Sequence, residues 1–321
     1  MKIHRRITVF SLAFLFLFSA SHVFALTISP AKMELSGAPG QVISGEIELF
    51  NEQAESKVFY SSYENFEPSG ESGSPHFIGG KTGLATWIVT DESVSLNGGD
   101  RKKIPFTITI PKDAVPGGYF SGVFFGGQSP NNQKNGEVAI GGKLGTLVLL
   151  RVEGDIEEKA GLVSFFAEGG RRFFSNLPIS FSYKLNNQGA DRIVPIGDIV
   201  VTNTFGLKSV TLPANKNEGS ILPSSARSYA IVWSADSALP EDAGFFATVG
   251  YQFKNFHIGW YTAHLDVKWG MQNNSSSARY DFLFFPWQAS LVIVALLILA
   301  LFVLTRYNKW IVKRSQNGRN S

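Results

Sequence analysis

The chain predicts an all-β fold: two tandem immunoglobulin-like β-sandwiches followed by one C-terminal transmembrane helix. Period-two alternation of apolar and polar residues recurs between residues 26 and 280, with no sustained helical stripe among them. A charge-free apolar run fills residues 282–304, and its 23 residues, at about 1.5 Å each, span the roughly 30 Å hydrocarbon core of a bilayer. The chain has no cysteine, so disulfides cannot hold an exported module together. Each module then needs a buried apolar core and an ordinary domain size.

Residues 1–25 read as a secretory signal peptide. Lys2, Arg5 and Arg6 form a basic start, residues 7–18 an apolar core, and Val23 and Ala25 occupy the −3 and −1 positions of a cleavage site. The first sandwich is assigned to residues 26–154. Within it Ile104, Phe106, Ile108 and Ile110 alternate with Pro105, Thr107 and Thr109. Pro105 marks an edge strand, or a position where the missing N–H would face solvent. Residues 128–136 are polar and turn-rich, and read as a long loop.

The charged run at residues 155–159 marks the boundary to a second sandwich over 155–270. Ile179, Phe181, Tyr183 and Leu185 alternate with Ser180, Ser182 and Lys184. Ala247, Val249, Tyr251 and Phe253 alternate in the same way with Thr248, Gly250 and Gln252, which predicts a strand there. Leu265, Val267 and Trp269 predict another. A weak repeat supports two similar modules: residues 111–120 (PKDAVPGGYF) resemble residues 240–246 (PEDAGFF).

Residues 271–281 read as a short polar stalk, 282–304 as the membrane helix, and 305–321 as a basic cytoplasmic tail. Pro286 and Trp287 lie near the outer end of the span, where Trp is favoured at the headgroup level. Arg306, Lys309, Lys313, Arg314 and Arg319, with no acid among them, put the C-terminus in the cytoplasm and the N-terminal ectodomain outside. The basic ends hide the charge of the working part. Residues 26–281 carry 21 Lys and Arg against 26 Asp and Glu, a net charge of −5. The overall +3 is therefore a topology signal and argues for no nucleic-acid partner.

Catalytic patterns are sparse. Gly80-Lys81-Thr82 mimics the end of a phosphate loop, but Pro75 stands where its first glycine belongs. His76, His257 and His264 are the histidines beyond residue 25, and none sits in a His-Glu-x-x-His helix. The acid pairs Asp91-Glu92 and Glu241-Asp242 fall in turn-like sequence, where carboxylates are solvated. Arg101-Lys102-Lys103 reads as solubilising the start of a strand. No enzyme activity, cofactor or metal is expected. Trp87, Trp233, Trp260 and Trp269 are core or interface aromatics, with at most one or two free to contact a ligand.

Residues 28–32 (ISPAK), 37–40 (GAPG) and 46–51 (EIELFN) resemble the opening of the WxL-interacting protein family. The likeness continues through residues 108–112 (ITIPK) and 117–127 (GGYFSGVFFGG), which are similar to the end of that family's proposed peptidoglycan-binding domain. Residues 187–189 (NQG), 195–203 (PIGDIVVTN) and 205–206 (FG) look like its second domain, proposed to bind partner proteins. The resemblance implies a membrane-anchored, non-catalytic cell-surface binding or scaffold protein. Its partners would be an envelope polymer such as peptidoglycan, or surface proteins. Candidate binding residues are Gly117, Gly118, Tyr119, Phe120, Gly126 and Gly127, although glycines there also permit a tight turn or bulge. A chaperone-like assembly factor working by β-strand addition is the alternative. A remoter one is an envelope glycan hydrolase, which needs two carboxylates held across a cleft.

Overall fold

A computed structural model describes residues 26–128 and 142–317, with side chains described through Ile311. The signal-peptide reading of residues 1–25, the loop reading from residue 129 onward, and the side chains of Lys313, Arg314 and Arg319 fall outside the described residues. The chain divides into two compact units. One is Met1–Glu67 with His76–Asp155, the other Pro68–Pro75 with Ile156–Ser321.

The first unit contains β1 (Leu26–Ser29), β2 (Lys32–Gly37), β3 (Val42–Asn51), β6 (Ile88–Thr90), β7 (Ser93–Leu96), β8 (Arg101–Thr109), β9 (Gly117–Gly126) and β10 (Lys143–Val152). It also holds most of β4 (Lys57–Ser69) and β5 (Ser74–Gly79). One sheet has the order β1-β3-β8-β6, the other β2-β10-β9-β4-β5, with β7 also on β4. The N-terminal segment serves both sheets. Its β1 pairs antiparallel with β3; past Pro30, β2 runs parallel to β10.

Alternation decides the faces. Ile104, Phe106 and Ile108 of β8 share one core with Val123, Phe125, Val148 and Leu150 of the other sheet, all at most 2% exposed. Full burial of each such side chain contributes about 1.5–3 kcal/mol. β8 is an interior strand rather than an edge. Pro105 is accommodated just past the Phe106–Ile108 stretch that pairs with β6, and its carbonyl accepts the Thr90 hydroxyl at 2.6 Å.

The second unit contains β11 (Ala160–Ala167), β12 (Phe173–Phe174), β13 (Ile179–Asn187), β14 (Ile196–Asn203), β15 (Lys208–Pro213), β16 (Ser225–Trp233), α1 (Phe245–Lys254), β17 (Gly259–Trp269), β18 (Asn274–Phe284) and α2 (Trp287–Asn317). Its sheets run β11-β13-β16 and β12-β18-β17-β14-β15. Tyr183 and Tyr229 stack at 4.8 Å within this unit. Burial pushes both phenols well above the usual tyrosine range. Their hydroxyls are satisfied by donating to Ala214 O at 3.1 Å and Gly219 O at 2.8 Å.

A buried asparagine pins a strand end in each unit. Asn51, fully buried at the end of β3, donates from Nδ2 to the carbonyls of Glu55, Leu96 and Asn97, and its Oδ1 accepts from Gln53 N–H. Asn187, equally buried at the end of β13, donates to the carbonyls of Asp191 and Ile221 and accepts from Gly189 N–H. In both, one amide closes its own turn and ties it to a distant strand.

Three further expectations are corrected. Residues 247–253 are not a strand but lie in α1. The stretch read as a stalk, 271–281, falls largely in β18, which pairs along its whole length with β17. Inward-facing Tyr280, Phe282 and Phe284 give β18 the same period-two pattern as its neighbours. The apolar C-terminal helix accordingly begins at Trp287, not at residue 282. Phe282 and Phe284 are 0% and 1% exposed in the sandwich core, and an apolar window cannot separate core phenylalanines from a span that comes directly after them. Residues 305–317, in the segment read as a basic tail, are helical and continue α2. The part of α2 from Trp287–Ile311 (25 residues) is long and apolar enough to cross a membrane.

Candidate functional site

The candidate glycines lie in or beside β9, a strand interior to its sheet. Ser121 to Gly126 pair with β10 on one side and β4 on the other. Tyr119, Val123 and Phe125 belong to the core. The alternate residues Gly118, Phe120, Gly122, Phe124 and Gly126 therefore point to the outer face. On that face Phe124 packs edge-on against Phe77 at 4.9 Å, Phe66 lies 5.8 Å from Phe77, and Phe120 lies 5.9 Å from Phe66. A Cβ on Gly122 would sit 2.6 Å from the Phe124 ring, and one on Gly145 only 2.5 Å from it. These glycines form a floor for a phenylalanine cluster.

The six candidate residues have the following surroundings. Gly117 opens β9 at φ +148°, a conformation that favours glycine. Gly118 continues the outer face. Tyr119 packs on Trp87 at 4.6 Å and donates its hydroxyl to Val115 O at 3.0 Å. Phe120 joins the cluster. Gly126 faces Lys143, and Gly127 faces Lys57, where an added Cβ would meet Lys57 Cε at 2.8 Å.

Beside this cluster, among the described residues, β10 has a half-edge without a paired strand that the glycine pattern did not reveal. Residues 147–152 of β10 pair with β2, but residues 143–146 do not, because the chain has already left this sheet for β1. The Leu147 N–H donates toward β2, to Ala31 O at 2.9 Å. Alternate residues of a strand turn their backbone groups the same way, so Lys143 and Gly145 present N–H and C=O to a side where no strand among the described residues pairs with them. Leu144 on this half-edge is 46% exposed. Lys143 pairs with Glu64 and lies 4.5 Å over the Phe124 ring.

Two edges of the second unit are blunted. β15 carries Lys208 and Pro213 and faces a register shift in β14. β18 is covered by β12 only at Leu283 and Phe284, and exposes Ser275, Ser277 and Arg279. The signal for the β10 half-edge was present in sequence as Pro30, which divides β1 from β2, but the register that leaves 143–146 uncovered is tertiary.

Among the described residues no group of three or more His, Asp or Glu side chains could hold a metal. His257 packs edge-on to Trp233 at 5.0 Å, and His264 lies opposite Arg279 in the β17–β18 ladder. Arg101 and Lys103 pair across the ladder with Glu48 and Glu46. Of the four tryptophans singled out, Trp260 is 59% exposed, Trp233 and Trp269 are buried, and Trp87 packs against the first core.

The sequence matches no family model and no curated protein. Solved structures similar to this chain include a class 5 fimbrial chaperone, CfaA, at 14% identity and a TM-score of 0.38, over 82% of this chain and 100% of that one. The Escherichia coli chaperone DraB is similar at 13% identity and a TM-score of 0.32, over 82% and 98%. A chain from the Salmonella enterica SafA pilin–SafB chaperone complex is similar at 10% identity and a TM-score of 0.36, over 83% and 99%. These likenesses are distant and assign no function to the chain.

Proposed function

We propose that this protein is a membrane-anchored, non-catalytic binding protein that takes up an extended segment of an envelope protein by β-strand addition. One observation carries the reading: among the described residues, Lys143 and Gly145 of β10 turn backbone groups to a side where no strand pairs with them, beside the exposed Leu144. An added strand would find main-chain partners there, and Leu144 would give it an apolar contact. The resemblance to the WxL-interacting protein family points to the same cell-surface setting. Anchorage rests on α2, with the sandwiches outside and the C-terminus in the cytoplasm. The chain combines the two non-enzymatic alternatives that the sequence leaves open, since a surface scaffold can grip its partner through a sheet edge.

A photo-crosslinking residue at position 144, introduced on intact cells, tests this. Crosslinks to a polypeptide are expected. They should be lost when Lys143→Pro removes one outward N–H at the strand start, where proline is tolerated. A probe at Ser209 on the blunted β15 should capture nothing. Absence of any protein adduct at position 144 would sink the reading.

A further inference from the structure

Helix α1 is built inside out. Its protein-facing side carries Thr248, Val249 and Gln252, all at most 8% exposed. Its free side carries Phe246 and Phe253, 83% and 47% exposed, separated by Gly250 at the i, i+4, i+7 spacing of one helical face. The loop and strand after the helix add Phe256, Ile258 and Trp260, each between 46% and 59% exposed. Leaving large aromatics in water while burying a glutamine is unfavourable for a helix on an aqueous surface.

The buried glutamine shows where this face lies. Gln252 Oε1 accepts the Ala289 N–H at 2.8 Å, and its Nε2 donates to Gln288 Oε1 at 2.6 Å and to Asn176 Oδ1 at 2.9 Å. Ala289 is in the first turn of α2, whose backbone N–H groups have no partner within the helix. α1 is thus fastened to the start of the apolar segment, and Phe245 lies 6.2 Å from Trp287 at that point. The exposed aromatics lie beside the level where the span begins, the depth at which amphipathic aromatic residues are enriched. α1 itself carries no acid, and Lys254 ends it, a residue whose stem can lie along the bilayer while its ammonium stays in water.

We infer that α1, with Phe256, Ile258 and Trp260, is an interfacial collar whose free face is seated in the outer headgroup region of the same bilayer that α2 crosses. The occupant of this face is lipid. The collar and the Gln252 fastening together replace a flexible stalk and hold the second unit at a fixed angle to the membrane. An interfacial helix of this kind buries its apolar face roughly 5–10 Å into the headgroup and acyl boundary. The inference rests on the anchored reading of α2.

The cysteine-free chain allows a direct test. Full-length protein is reconstituted into phosphatidylcholine vesicles with one spin label at a time, on Phe246→Cys, Phe253→Cys, Leu297→Cys or Ser209→Cys. Collision with oxygen, which partitions into lipid, is compared with collision with a water-soluble nickel complex. Labels at 246, 253 and 297 should favour oxygen, and the label at 209 should favour nickel. If 297 favours oxygen while 246 and 253 match 209, the collar is refuted and the anchor stands. If 297 itself reports water, the anchored reading falls and the collar with it.

Discussion

Pro111 and Pro240 each begin a turn closed by the alanine N–H three residues on, Ala114 to Pro111 O at 3.2 Å and Ala243 to Pro240 O at 3.1 Å. The first turn feeds the strand β9; the second feeds the helix α1. The repeat seen in sequence is therefore one of turn chemistry, not of the element beyond the turn. The P-x-D-A turn is decided within four residues. The element beyond it is decided by partners far away. β9 has β4 and β10 on its flanks and phenylalanines on its outer face, whereas α1 has the first turn of α2. The closer internal likeness is the buried pair Asn51 and Asn187, each serving a different unit in the same way.

Removing the distant partner of α1 is the strongest way to break the comparison. Gln252→Ala leaves the Ala289 N–H and several acceptors without a partner, and buried unsatisfied groups cost about 1–3 kcal/mol each. A loss of about 3 kcal/mol is expected. Thermal unfolding of the full chain in detergent micelles would read it, and an unchanged Tm would show that α1 stands without this fastening.

Glycine substitutions should then pull the two regions in opposite directions. Gly122→Ala in β9 drives a Cβ into the Phe124 ring and should destabilise by about 1–3 kcal/mol. Gly250→Ala in α1 meets no atom within 4 Å, and should stabilise by up to about 1 kcal/mol through helix propensity. Urea unfolding of the two variants side by side decides this. Shifts of the same sign would mean that the glycine floor of β9 has been misread.

The smallest effect concerns β18, which links the sandwich to α2. The Thr262 hydroxyl, bonded at 2.7 Å, and then Arg279 hold the Asp281 carboxyl below its ordinary range. A lowered folded pKa stabilises above the unfolded value, and that gain is lost as pH falls through the folded one. The side chain is 42% exposed, so solvent screening keeps the gain below about 1 kcal/mol. The stability gap between wild type and Asp281→Asn should therefore narrow as the pH drops from 7 to below about 4, the ordinary Asp value. A gap that widens on acidification contradicts this.

Much of the fold was legible because strand periodicity is a local property. Ile104, Phe106 and Ile108 alternate in sequence and alternate in space, since successive strand residues point to opposite faces. The β18 pattern was equally legible, but hydropathy joined Phe282 and Phe284 to the apolar helix behind them. The candidate site was less so. Gly117, Gly118, Gly126 and Gly127 read as part of a binding strip, whereas Gly122, in the middle of that stretch, makes room for the Phe124 ring of β9 and lies beside Phe77 of β5. The open half of β10 depends on where the chain leaves the sheet near Pro30, more than 110 residues earlier in the chain.

Sequence by itself determined the β character of both units, their dependence on apolar cores in a chain without cysteine, and an uncharged C-terminal segment long enough for a bilayer. These come from composition and from periods of two residues or long unbroken runs. Tertiary structure alone decided that residues 245–254 are a helix. Over seven residues, Ala247, Val249, Tyr251 and Phe253 fit a strand as well as Phe246, Gly250 and Phe253 fit one helical face. The choice falls to Gln252, whose partners at Asn176, Gln288 and Ala289 lie up to 76 residues away. A local pattern cannot carry that information, because a hydrogen bond to a distant helix start exists only once the chain has folded.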